Sequence, residues 1–131
     1  MSNWTHVAAI VRLNCFTENP YEVFGKECLW ESGEDVWEDR RKHPESYLPM
    51  GSEGSLQMTV WENPDKSSIA NAMITIFGDL RDHNDAEEIV DWFKNKIKDL
   101  WVRQATITVE NEIFGTVNWT WGYKEGTDDK S

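Results

Sequence analysis

Long apolar runs, nucleophile motifs, metal-ligand spacings and an excess of positive charge are all missing from this 131-residue chain. The longest early apolar stretch, Val7–Val11, is too short for a membrane span or the apolar part of a signal peptide. With no signal peptide legible and only Cys15 and Cys28, two free thiols in a reducing cytoplasm are expected. Those cysteines and His6, His43 and His83 show neither C-x₂₋₄-C nor H-x₃₋₅-H spacing, which excludes a zinc site of the usual kind; no metal and no cofactor is expected. Cys28 sits among Glu27, Leu29 and Trp30, surroundings that disfavour a thiolate nucleophile. No G-x-S-x-G elbow occurs, and "MGSEGSL" lacks the lysine and the helix of a phosphate loop. An enzyme is therefore not expected. Thirteen Lys and Arg against 24 Asp and Glu leave a formal charge of −11, which disfavours sequence-independent nucleic-acid binding.

What is present is periodic. Residues 5–14, "THVAAIVRLN", read as a strand whose two faces are both largely apolar, as in a strand covered on both sides. Residues 55–63 and 70–78 alternate as two strands of a hairpin with a loop of about six residues, near the common connection length. Residues 84–100 read as an amphipathic helix, with Asn84 as N-cap, Glu87 as its capping-box partner and acids ahead of lysines. Its apolar stripe takes in Ile89, Val90, Phe93, Ile97, Leu100 and Trp101. Residues 103–123 read as a second hairpin turning at Gly115. The expected fold is a single α+β domain over residues 1–123. It is a mainly antiparallel sheet of about five strands with one helix on a face, followed by a disordered polar tail at 124–131.

Between these elements, residues 14–55 read as a long ordered loop region that protects part of the second sheet face, with a short helix near Tyr21–Trp30. Its stretch "GEDVWEDRRKHPESYLPMGSEGS" (33–55) shows neither helical nor strand period, yet carries Trp37, Tyr47, Leu48 and Met50 as anchors. Nine carboxylates fall between residues 18 and 45, and the basic residues Arg40, Arg41 and Lys42 form one corner. The paired glycines of "GSEGS" suit a turn or bulge leading into Leu56. Eight tryptophans are an excess. Trp101, Trp119 and Trp121 fit core faces, whereas Trp30, Trp37 and Trp61 call for mutual cover by the loop, a protein interface or a stacked ligand.

"SNWTHVAAIVRLN", "YLPMGSEGSLQMTVWENPD" and "FGDLRDHNDAEEIVDWF…VRQATITVENE" together resemble small acidic proteins, of no assigned activity, encoded by tailed phages and prophages of gut bacteria. The resemblance implies the cytoplasm of an infected bacterium and a counter-defence role. In the leading expectation the chain is a non-enzymatic inhibitor of anti-CRISPR type. Trp30, Glu34, Asp35, Trp37, Glu38 and Asp39 would dock on a basic groove of a host defence protein. The alternative is a sponge for a small nucleotide immune signal, with Arg40, Arg41 and Lys42 on phosphate and Trp37 or Tyr47 stacking the base, aided by backbone N–H groups of "GSEGS". A third class is a phage structural or assembly protein. Homo-oligomerisation is expected from the aromatic excess; no membrane partner is.

Overall fold

In a computed structural model, residues 3–14, 19–27, 33–65, 72–122 and 127–128 are described. Cys15, Cys28 and Trp30 lie outside them. The protein is α+β. Strand β1 spans Trp4–Leu13, followed by helices α1 (Pro20–Val23) and α2 (Glu34–Lys42) and a 3₁₀ turn at Pro44–Ser46. Then come β2 (Gln57–Glu62), β3 (Ala72–Arg81), α3 (Ala86–Ile97), β4 (Val102–Asn111), β5 (Gly115–Gly122) and β6 (Thr127–Asp128). They form one antiparallel sheet in the order β2-β3-β1-β4-β5-β6.

Both expected hairpins form. β2 pairs with β3 as far as Glu62↔Ala72, and residues 66–71 of the connection lie outside the described ones. β4 and β5 turn through residues 112–114, closed by Gly115 in the left-handed region (φ 99°). Asn111 holds that turn, its Oδ1 accepting from the backbone N–H groups of Ile113 (2.8 Å) and Phe114 (2.9 Å). Its Nδ2 donates to Thr5 Oγ1 (2.8 Å) and Asn3 Oδ1 (3.1 Å), and Thr5 Oγ1 in turn donates to the carbonyl of His83. This buried polar knot is satisfied from within, so it ties the start of β1, the end of β4 and the β3–α3 loop together at little desolvation cost. The stretch read as a polar tail contributes Thr127 and Asp128 to β6, which pair with Gly122 and Trp121; its other residues from 124 onward lie outside the described ones.

The helix forms with shifted ends. Asp85, not Asn84, is the N-cap: its Oδ1 accepts from Glu88 N at 3.1 Å. The helix stops at Ile97, so Trp101 falls beyond it, on the turn into β4. Ile89, Val90, Phe93 and Ile97 are buried as the stripe predicts, and Trp92 and Leu100 pack on the same core.

The larger correction concerns the sheet faces. Val7, Ala9, Val11 and Leu13 of β1 are buried, but Ile10 on its other face is 38% exposed. That second face is open. The described part of segment 14–55 packs on the other side: Phe24, Leu48 and Leu56 join Phe93, Ile97 and the inner strand residues in one core. Helix α3 lies over β4 and β5, while residues 51–56 run against β3 between Gly78 and Arg81. Glu27 accepts from Met58 N at 2.9 Å along the outer edge of β2. Ser55 and Leu56 cross so close to Gly78 that a Cβ there would lie 3.0–3.1 Å from their backbone atoms. The expected second-face cover fails because chain length and polarity do not say on which side a connection lands.

Nor is segment 33–55 aperiodic throughout. Glu34–Lys42 is a helix of nine residues, with Glu34 and Asp35 in its first turn and Arg40, Arg41 and Lys42 in its last. No residue in it is buried, so apolar periodicity could not announce it. The order of its charges, which complements the helix dipole, was the legible signal. "GSEGS" is a turn, as expected: Gly51 N donates to Gly54 O at 3.0 Å, and Ser52 N and Arg81 N exchange bonds with Arg81 O and Glu53 O.

Phe93 is fully buried and meets Trp119 edge-on (6.2 Å between centroids, 78°). Phe93→Ala should cost about 3–5 kcal/mol in urea unfolding; a loss below about 1 kcal/mol would remove α3 from the centre of the core.

Candidate functional site

A cavity of about 960 Å³ opens between the second half of α3, the turn into β4, and β5. Its size suits a small-molecule site, for which about 300–1,000 Å³ is usual. Three tryptophans line it, two placed by strand alternation and one by a backbone anchor. Trp119 and Trp121 sit two residues apart on β5, so their side chains share the core face, one strand period (about 7 Å) apart. Trp119 is nearly buried against Phe93. Trp121 pairs with Ala105, whose small side chain leaves room beside it. Trp101 is held by its backbone, since Asn14 N donates to its carbonyl at 2.8 Å and the Ile97–Leu100 turn precedes it. Its indole is 73% exposed on the cavity rim, which corrects its assignment to the core. The stripe argument failed there because helical spacing was carried four residues past the helix end.

Polar groups converge on this aromatic wall. Asp91, Lys94, Asn95 and Lys98 fall at i, i+3, i+4 and i+7 along one side of α3 and line the cavity. Two lysines against one aspartate give a locally cationic rim in a chain of net charge −11, although Asp99 follows in sequence. Lys94 Nζ stands 5.4 Å from the centre of the Trp119 ring, a cation–π contact. Asn14 Oδ1, also in the lining, is buried and has no hydrogen-bond partner among the described residues. An unanswered acceptor beside a cavity is an energetic cost that a ligand N–H or O–H would relieve.

The residues expected to act are arranged differently. Glu34 and Asp35 are exposed on α2. Glu38 accepts from Arg41 at 2.9 Å, so acid and base share the outward side of that helix. Trp37 and Asp39 are half-buried, and Asp39 accepts from the Tyr47 hydroxyl at 2.6 Å. Tyr47 is buried and unavailable for stacking a base, and Lys26 lies 5.8 Å from its ring centre. Arg40 is half-buried with its Nε enclosed and without a partner among the described residues; Lys42 is exposed. The backbone N–H of Gly51 is spent on Gly54 O within the turn and that of Ser52 on Arg81 O at the end of β3, which removes both as ligand donors. The structure thus brings Asp39 and Tyr47 together and keeps Arg41 on Glu38, without gathering a cationic cradle.

At the far end of the open face His6 bridges Asp79 (Nδ1, 2.7 Å) and Glu112 (Nε2, 3.1 Å). The hydrogen bond to Asp79, then that to Glu112, raises its pKa above the ordinary histidine value of about 6.5, against a smaller opposing effect of desolvation. Among the described residues no group of three or more His, Cys, Asp or Glu side chains is placed to hold a metal ion. No described helix is long and apolar enough to cross a membrane.

Two outcomes follow from this geometry. Trp119→Ala should cost about 3–5 kcal/mol of stability, whereas Trp101→Ala should change it by less than about 0.5 kcal/mol; equal losses in thermal or urea unfolding would place both rings in the core. Because the folded pKa of His6 is raised, protonation favours the folded state. That contribution is fully present below about pH 6.5 and is lost as pH rises through the folded value. The urea midpoint of the protein should therefore fall over that window more than that of His6→Gln; parallel profiles would deny the linkage. Compared with protein-family models, with curated proteins and with solved structures, the chain matches none.

Proposed function

We propose that the protein is a non-enzymatic binding protein that captures a small planar anion of the nucleotide class in the tryptophan cavity. The observation that carries this reading is the meeting of three tryptophans with Asn14 Oδ1, unpaired among the described residues, and with Lys94 of α3 and Lys98 at its C-cap. A base stacks on the exposed Trp101 ring and an exocyclic N–H of that base answers Asn14. Its phosphate is then held by Lys94 and Lys98, within an aromatic wall that excludes water from one side. Nothing in this arrangement calls for a nucleophile or a general base. In the phage setting implied by the sequence resemblance, such capture withdraws a nucleotide immune signal from the host. The stacking and phosphate groups therefore differ from the Trp37, Tyr47 and Arg40–Lys42 set expected from the sequence.

A second reading, docking on a basic groove of a defence protein, draws support from the exposure of Glu34 and Asp35 on one turn of α2. Self-pairing of Glu38 with Arg41 weakens it. If it holds, Glu34→Lys with Asp35→Lys slows association with a basic partner, and the difference fades with salt.

The test is calorimetric and fluorescence titration with nucleoside mono-, di- and cyclic phosphates. Micromolar binding is expected for at least one of them. Trp101→Ala should weaken it by roughly ten- to a hundredfold, as loss of one base-stacking ring does. The paired change Lys94→Ala and Lys98→Ala should weaken it and flatten its salt dependence. No binding by any member at millimolar concentration would sink the proposal, as would binding indifferent to Trp101.

A further inference from the structure

The open face of the sheet is the largest feature that a ligand cavity does not use. Register places its side chains in rows. Gln57, Phe77, Ala8, Thr108 and Asn118 form one central row, and Thr59, Thr75, Ile10, Thr106 and Thr120 form the next. None of these ten residues is charged, in a chain of which 28% is charged. Phe77 is 43% and Trp61 47% exposed. Depletion of charge at the centre with aromatic residues is the composition of an interface core.

Charge gathers only at the two ends of the rows. One end carries Asp79, His6 and Glu110; the other carries Arg12 between Met73 and Gln104. A hollow of about 310 Å³, lined by Arg12, Thr59, Trp61, Met73 and Thr75, lies on the Arg12 side. Phe77 stands on the acidic side of the centre.

We infer that this face is the interface of a symmetric homodimer, two sheets packed face to face. The two-fold axis lies between the sheets and runs across the strands. That operation sets Phe77 of each copy over Thr75 of the other, at the mouth of the hollow, and sets Arg12 against the acidic end. An axis along the strands would instead lay acid on acid. Five strands by seven residues give a face of roughly 24 × 23 Å, so two copies cover about 1,100 Å² even before side-chain relief, just above the roughly 1,000 Å² that a specific interface needs. The arrangement leaves the tryptophan cavity free, because α3 covers the opposite face.

Analytical ultracentrifugation of the full chain at micromolar concentrations tests this. A species of twice the 15.3 kDa chain mass is expected. Phe77→Lys should shift it to the monomer, and Thr108→Lys, an exposed change on the same face, should do so as well, with circular dichroism of both unchanged. Arg12→Glu should weaken the dimer by about tenfold or more, and adding Glu110→Arg to it should restore the dimer in part. Trp101→Ala should leave the mass unchanged. A wild-type chain that stays at 15.3 kDa throughout overturns the inference, and so does a dimer indifferent to Phe77→Lys and Thr108→Lys.

Discussion

Strand β1 is hydrogen-bonded on both sides, from Trp4↔Arg81 to Leu13↔Ala72 with β3 and from Thr5↔Asn111 to Leu13↔Val102 with β4. Every other element depends on that double pairing. β3 and β4 both run antiparallel to β1 and hence parallel to each other, so the chain between them must cross β1, and α3 is that crossing. A helix that spans a strand lies on one face of the sheet and must turn its apolar stripe toward it. The face it chooses becomes the core; Val7, Val11 and Leu13 are buried there with Phe93 and Ile97.

The same constraint makes the molecule one-sided. Phe24, Leu48 and Leu56 join the core on the helix side, and the segments that carry them are fitted by close backbone approach as well as by apolar packing. Gly25 (φ 130°) shows why: Lys26 N donates to Ser46 O and Leu48 N to Lys26 O, both at 2.9 Å, and a Cβ on Gly25 would lie 2.6 Å from the Tyr47 carbonyl carbon. The opposite face keeps threonines, Ile10, Phe77 and Trp61 in contact with solvent. A sheet open on one side is common among antiparallel folds, but its usual outward residues are charged, and here the central rows are not.

The two surfaces offer different chemistry. Where α3 ends and β4 begins, the inner layer is short of side chains, and the gap is walled by Trp101, Trp119 and Trp121 and rimmed by Lys94 and Lys98. The open face is broad and uncharged in its central rows, and suits a second sheet rather than a small molecule. Acidic charge is left on α2, at the start of α3 and around His6, where it keeps the rest of the surface hydrated.

Local patterning was enough for much of the fold. Alternation marked β2 to β5, the 3.6-residue stripe and the order of acids and lysines marked α3, and Gly115 marked the second turn, because each of these signals acts over a few residues. What alternation could not resolve was β1, apolar on both faces: whether Ile10 is covered depends on where distant segments land. Helix α2, with no buried residue, carried no apolar period to read. The residues assigned to a site from sequence, from Trp30 to Tyr47, were chosen for charge and composition, but Glu38 turned to Arg41 and Tyr47 to the interior. Trp101, Trp119, Trp121 and Asn14 are scattered over the chain and meet only because β1 ends beside the α3–β4 turn and β5 lies on the outer side of β4. A cavity is a property of that meeting, and no single stretch of sequence contains it.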